Sequence, residues 1–218
     1  MKNIKRSFII NVIISFLVLI GTIFMFSGVT FMPEEKLLET KGIEMFKFFT
    51  VDSNILMGMI SLIMAIYEYR LLNGKIKELP LFIYKLKLIG TSAVLLTFIT
   101  TLCFIAPHYG FYAMYNNNNL FFHLIVPVLA FVSYVFFEKH ENNYLYAFYG
   151  LIPMGIYAVF YITNIFIHYT EGENLYKYDF YGFLQGNIDN FYIVIPIIFV
   201  VTYLLTILMV FLHKKFAK

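Results

Sequence analysis

Six blocks of apolar residues, each long enough to cross a bilayer as a helix, constrain this chain more than any other feature. They run from Ser7 to Phe26, Phe48 to Tyr69, Leu86 to Ile105, Leu120 to Phe137, Tyr144 to Ile167 and Phe191 to Leu212. A hydrocarbon layer of about 30 Å needs ~20 residues of helix. Lipid offers no partner to a backbone N–H or C=O, so a block of this kind satisfies its own backbone as a helix. A membrane β-barrel would need segments of ~10 residues that alternate in polarity, and runs such as Phe8 to Val18 do not alternate. Charged residues make up only 13% of the 218, about half the share usual in soluble domains. The expectation is an all-α integral membrane protein, a six-transmembrane-helix bundle forming a single polytopic domain over residues 1–218. No period of 20 to 50 residues repeats and no change of composition marks a second domain.

Six crossings bring both termini to one side, and the basic residues predict which. Lys2, Lys5, Arg6, Arg70, Lys75, Lys77, Lys85, Lys87, Lys139, Lys214, Lys215 and Lys218 fall on the side of the termini, whereas Lys36, Lys41, Lys47 and Lys177 fall opposite. The positive-inside rule then predicts both termini in the cytoplasm of a cell-membrane protein. The net charge of +3 follows from this topology, and no basic patch with interleaved aromatics predicts a nucleic-acid partner. Lys2, Lys5 and Arg6 ahead of the first block resemble the start of a signal peptide. The apolar run is longer than an h-region and no small-residue cleavage site follows it, so an uncleaved first helix is expected. Of the opposite connections, residues 28–46 carry Glu34, Glu35, Glu39 and Glu44 and suit a short amphipathic helix on the surface. Cys103, the single cysteine, excludes an intramolecular disulfide.

Polar residues inside such blocks must find partners or line a cavity, so their helical phase is informative. Thr50, Ser53, Asn54, Gly58 and Ser61 recur at spacings of three and four on the second block, with Asp52 turned away. Asn119, His123, Pro127, Ala130 and Tyr134 form a row on the fourth, and Tyr157, Tyr161, Asn164 and His168 form one on the fifth. Given the predicted orientation, Thr50, His123, Asn164 and His168 all fall within about two turns, ~10 Å, of the non-cytoplasmic boundary. Thr97, Thr100 and Thr101 add polarity at the same depth. The rows predict a polar chamber in that half of the bundle. Hydroxyls and amides of this kind also glue membrane helices together; an imidazole within a span points more strongly to function.

Within the chamber a hydroxyl beside a base is the pair that supports chemistry, because a threonine becomes a competent nucleophile when its proton is removed during attack. Thr50 is the candidate nucleophile and His123 the candidate base. Asn54, Ser53, Tyr161, Asn164 and His168 are candidates to hold substrate or a developing oxyanion. The Phe, Leu, Ile and Met walls suit an acyl chain. No GxSxG, HExxH or GxxxxGK[ST] motif occurs. The histidines have no i,i+4 partner, so neither a metal nor a cofactor is predicted. A second class remains open: the polar face of the second block continues from Thr50 through Ser61 to Glu68, which suits the path of a transporter or small-molecule-binding protein. However, inverted repeats and paired broken helices, the usual marks of a transport site, are missing.

Phe46-Lys47-Phe48-Phe49-Thr50-Val51-Asp52-Ser53-Asn54 resembles the aromatic-Phe-Thr-x-x-Ser-Asn signature of Pr6Pr-type bacterial membrane proteins, relatives of the androgen-induced membrane hydrolases of animals. His123-Leu124-Ile125-Val126-Pro127-Val128-Leu129 is similar to their His-x-x-x-Pro-x-Leu helix. Pro153 with Tyr157, ahead of residues 176–181, gives a shorter match. The resemblance implies a threonine hydrolase of fatty acyl esters, such as fatty acid esters of hydroxy fatty acids. It also implies Thr50 and His123 as the catalytic pair and a membrane lipid or acyl ester as the substrate. Two departures from the pattern are Asp52 beside the threonine and Tyr176-Lys177-Tyr178-Asp179 where relatives carry a Tyr-Pro segment.

Overall fold

A computed structural model describes residues 1–32, 40–170, 178–184 and 187–217. Six helices are long and apolar enough to cross a membrane: α1 (Lys2–Ser27), α2 (Phe49–Leu72), α3 (Leu81–Tyr109), α4 (Asn117–Phe137), α5 (Tyr144–Tyr169) and α6 (Ile188–Phe216). No strand occurs among the described residues. The protein is an all-α, multi-pass membrane bundle, and each helix overlies one of the predicted blocks. Glu34, Glu35 and Glu39 of the expected amphipathic segment lie outside the described residues. Glu44 sits on a short 3-10 helix, Gly42–Lys47, leading into α2.

The helix ends follow local chemistry. Gly28 takes the left-handed conformation at φ 70° that ends α1, where its N–H reaches Met25 O and the Val29 N–H reaches Phe24 O. α3 starts directly after Pro80, whose ring holds it in extended backbone at φ −63°, ψ 140°. This start is five residues earlier than the apolar pattern suggests, which carries Lys87 into the second turn of the helix instead of leaving it at the edge. Two prolines act further along. Pro107 and Pro127 lack the N–H that would bond the carbonyl four residues back. In each case the turn before the proline widens to π geometry, Thr101–Ile105 and Phe121–Ile125, with the Ala106 N–H on Thr101 O and the Val126 N–H on Phe121 O. His123 therefore sits on a π turn, a feature often found at functional sites.

α3 is the central helix, with every residue from Gly90 to Thr97 buried. One core cluster joins Ile14, Val18, Met57, Val94, Val126 and Ala130 from α1 to α4. A second joins Leu88 and Leu95 to Tyr134, Val135, Met209 and Val210 of α4 and α6. The outer faces carry Phe16, Leu62, Phe160, Ile193 and Leu204, all more than half exposed. Apolar surface turned outward on this scale suits lipid and not water. α1 and α2 pack in direct contact where Gly58 faces Val18, and the Ser15 hydroxyl donates to Gly58 O at 3.1 Å. A Cβ at Gly58 would lie 2.7 Å from Val18 Cγ1, so the helices meet here because the residue is glycine. Gly58→Ala is expected to cost about 1–3 kcal/mol through overpacking, seen as a lower Tm in detergent, and Val18→Ala in the same chain should recover most of the loss.

Candidate functional site

Two polar clusters occupy opposite ends of the bundle. The first lies at the start of α2, away from the termini. The Ser53 hydroxyl is 3.2 Å from Thr97 Oγ1 of α3, and Ser53 also donates to Thr50 O at 3.1 Å. Asn54 Nδ2 donates to Thr50 O at 2.8 Å and to Phe122 O at 3.1 Å, which ties the first turn of α2 to the residue before His123. Both amide hydrogens of Asn54 are thereby engaged, while its Oδ1 is buried without a partner.

His123 is buried, and its Nδ1 lies 2.8 Å from Met114 O. A carbonyl only accepts, so Nδ1 carries the proton and the neutral ring presents the lone pair of Nε2. Tyr115 meets the ring edge-on at 6.4 Å. Thr50 is half-buried, and its hydroxyl makes no hydrogen bond among the described residues, neither to His123 nor elsewhere.

The α5 row turns toward the loop of residues 178–184. Tyr157 donates to Lys47 O at 2.6 Å and Tyr161 to Asp179 Oδ1 at 2.5 Å. His168 stacks on Tyr178 with centroids 3.6 Å apart, and Asn164 is half-buried on the same helix. Asp179 also accepts the N–H groups of Phe183 and Leu184 at 3.0 and 2.8 Å, so its buried carboxylate organises the loop. Tyr181 from this loop accepts the Phe49 N–H at 2.8 Å, which satisfies one of the free donors at the start of α2. Burial pushes the Tyr181 phenol up to about 12, so it keeps its proton at neutral pH, next to Thr50. Tyr176 and Lys177 lie outside the described residues. Of the predicted site, Thr50, Ser53, Asn54 and His123 gather around the α2–α4 contact, whereas Tyr161 and His168 are engaged with the loop. Asp179 and Tyr181 are additions that the sequence reading did not select.

Of the second cluster, near the termini, only Ser61 and Glu68 belong to the polar rows read from the sequence. Lys87 is 0% exposed, Glu68 1% and Glu138 2%. Lys87 Nζ pairs with Glu138 Oε1 at 3.5 Å, donates to Asn11 Oδ1 and lies 3.4 Å from the Ser61 hydroxyl. Asn11 donates to Glu68 Oε2 at 3.0 Å and to Ser7 at 3.2 Å, and Ser133 donates to Glu138 Oε1 at 2.7 Å. A signal was present: Asn11 and Lys87 each sit inside an apolar block, where a polar residue needs a partner.

Beside this cluster His213 Nε2 and His140 Nδ1 both reach Glu138 O, at 2.6 and 3.3 Å, and satisfy a carbonyl at the end of α4. Burial, followed by the neighbouring His213, lowers His140 from 6.5 to about 3. Below pH 6.5 the unfolded chain takes up a proton that the folded chain refuses. His140 is therefore expected to lower stability steadily as pH falls from 6.5 toward 3 and to leave it unchanged above 6.5. Urea or thermal unfolding across that range checks this, and His140→Phe should flatten the profile.

Comparison of the chain with protein-family models, curated proteins and solved structures finds no match.

Proposed function

We propose that the protein is a cell-membrane enzyme with both termini in the cytoplasm, which hydrolyses fatty acyl esters within the outer half of the bilayer. Fatty acid esters of hydroxy fatty acids are the substrate class that the sequence resemblance suggests. Thr50 is the nucleophile and His123 the base. The observation that carries this reading is the state of His123: its Nδ1–H is fixed on Met114 O, which leaves Nε2 as a proton acceptor on a helix tied by Asn54 to the turn that bears an unengaged Thr50 hydroxyl.

In this scheme the Thr50 oxygen attacks the acyl carbonyl while Nε2 takes its proton. The collapsing intermediate expels the alcohol, protonated by His123, and leaves an acyl-threonine. Water, deprotonated by the same nitrogen, then releases the fatty acid. Asn54 has spent its donors on the backbone, so it acts by holding α2 against α4. Developing negative charge on the carbonyl oxygen is favoured by the positive end of α2, where Thr50 stands in the first turn. The Tyr181 hydroxyl, which reaches that turn from the loop and keeps its proton, adds a donor. A fluorophosphonate probe applied to the purified protein is expected to label the wild type and to fail on Thr50→Ala and on His123→Ala. Labelling that persists in both variants would refute the assignment.

A further inference from the structure

The cluster near the termini holds more negative than positive charge. Two carboxylates, Glu68 and Glu138, share one ammonium, Lys87, and all three are buried. Glu138 Oε1 is occupied by Lys87 and Ser133, but Glu138 Oε2 is buried with no partner. The other charged groups nearby do not make up the deficit. The Met1 amino group, Lys2 and Lys139 line the adjoining cleft, exposed, and none of them forms an ion pair among the described residues. Arg6 lies over the Phe137 ring, while His213 and His140 bond the backbone carbonyl of Glu138 and not its carboxylate. An uncompensated buried carboxylate is strongly unfavourable unless a positive charge joins it.

The cleft offers the route for that charge. It encloses about 300 Å³ at the end of the bundle near the termini, and both Glu68 and Glu138 line it together with Tyr84. We propose that Glu68 and Glu138 form a binding site for one small monovalent cation, a proton or a sodium ion, taken up through this cleft. Carboxylate oxygens are hard ligands suited to either ion. With Lys87 in place, a divalent ion would overshoot neutrality by one charge, so the cluster selects monovalent ions. The site is separate from Thr50 and His123 and does not depend on the hydrolase assignment.

Thermal unfolding of the full chain in detergent, followed by circular dichroism, tests the proposal with sodium exchanged for N-methylglucamine at constant ionic strength and with pH varied. If sodium is the ligand, Tm should rise by roughly 3 to 5 °C for each tenfold increase above its dissociation constant, and Glu138→Gln should abolish the response. If the proton is the ligand, sodium has no effect and infrared spectra show the carbonyl stretch of a protonated carboxylic acid, lost in Glu138→Gln. In a His140→Phe background, which removes the opposite contribution of that ring, the difference between the chain with Glu138 and its Glu138→Gln variant should then grow in favour of Glu138 as pH falls. Glu68→Gln serves if Glu138→Gln does not fold. Identical sodium and pH responses in wild type and variant would overturn the proposal. So would a wild type with neither a sodium response nor a protonated-carboxyl band.

Discussion

Lys87→Met is expected to destabilise the bundle by about 3–5 kcal/mol, the cost of removing one partner of a buried ion pair. That is a large part of the ~5–15 kcal/mol that holds a typical domain together. The lysine touches Glu138, Asn11 and Ser61 from α4, α1 and α2, so its loss strands a carboxylate and an amide oxygen at once. Methionine keeps the length of the side chain, which confines the effect to charge and hydrogen bonding. Thermal unfolding in detergent and the yield of monodisperse protein read the outcome. The double variant Lys87→Met with Glu138→Leu should regain much of the loss, because an apolar pair can replace a buried ion pair at little cost. Lys85→Met is the control: Lys85 is half-buried with its ammonium 4.7 Å from the Tyr146 ring centroid, and its removal is expected to cost about 1 kcal/mol or less. Equal effects at positions 85 and 87 would mean that the buried network contributes nothing specific.

The second large effect concerns chemistry. Hydrolysis of a fatty acyl ester by the purified protein is expected to fall ~10²–10⁴-fold in His123→Gln, the range for loss of a general base. Thr50→Ala should fall at least as far, since the covalent route is then closed. The two residues act on one proton transfer, so the double variant is expected to be no slower than the worse single variant, as found when catalytic groups work as a unit. Multiplicative losses would indicate independent roles. His123→Gln should leave Tm nearly unchanged relative to Thr50→Ala, because glutamine also presents an N–H to Met114 O. A collapse of Tm would mark His123 as a structural residue.

The contrast between the two polar clusters shows how far sequence reached. Ser53, Asn54 and Gly58 could be placed on one face of α2 because a helix repeats every 3.6 residues, and all three are buried. The same periodicity placed Tyr157 and Tyr161 together without revealing that their hydroxyls belong to Lys47 O and Asp179. A row states a direction, and the partner in that direction comes from another part of the chain. Lys87 and Glu138 were harder still. Lys87 counted only toward the basic side of the membrane and Glu138 falls just past the fourth block, and only the start of α3 at Pro80 and the convergence of α1 to α4 bring them into contact.

By itself the sequence determined the number, position and helical nature of the six spans, because length and hydrophobicity against a ~30 Å hydrocarbon layer leave one solution. It also determined which faces of α2, α4 and α5 avoid lipid. The tertiary structure decided what those faces meet: α3 at the centre, the loop of residues 178–184 over the start of α2, the Met114 carbonyl that sets the tautomer of His123, and the buried Glu68, Lys87 and Glu138. The physical reason is range. Span formation is a local transfer of each segment into lipid, whereas side-chain pairing across 51 positions, as between Lys87 and Glu138, depends on how all six helices pack.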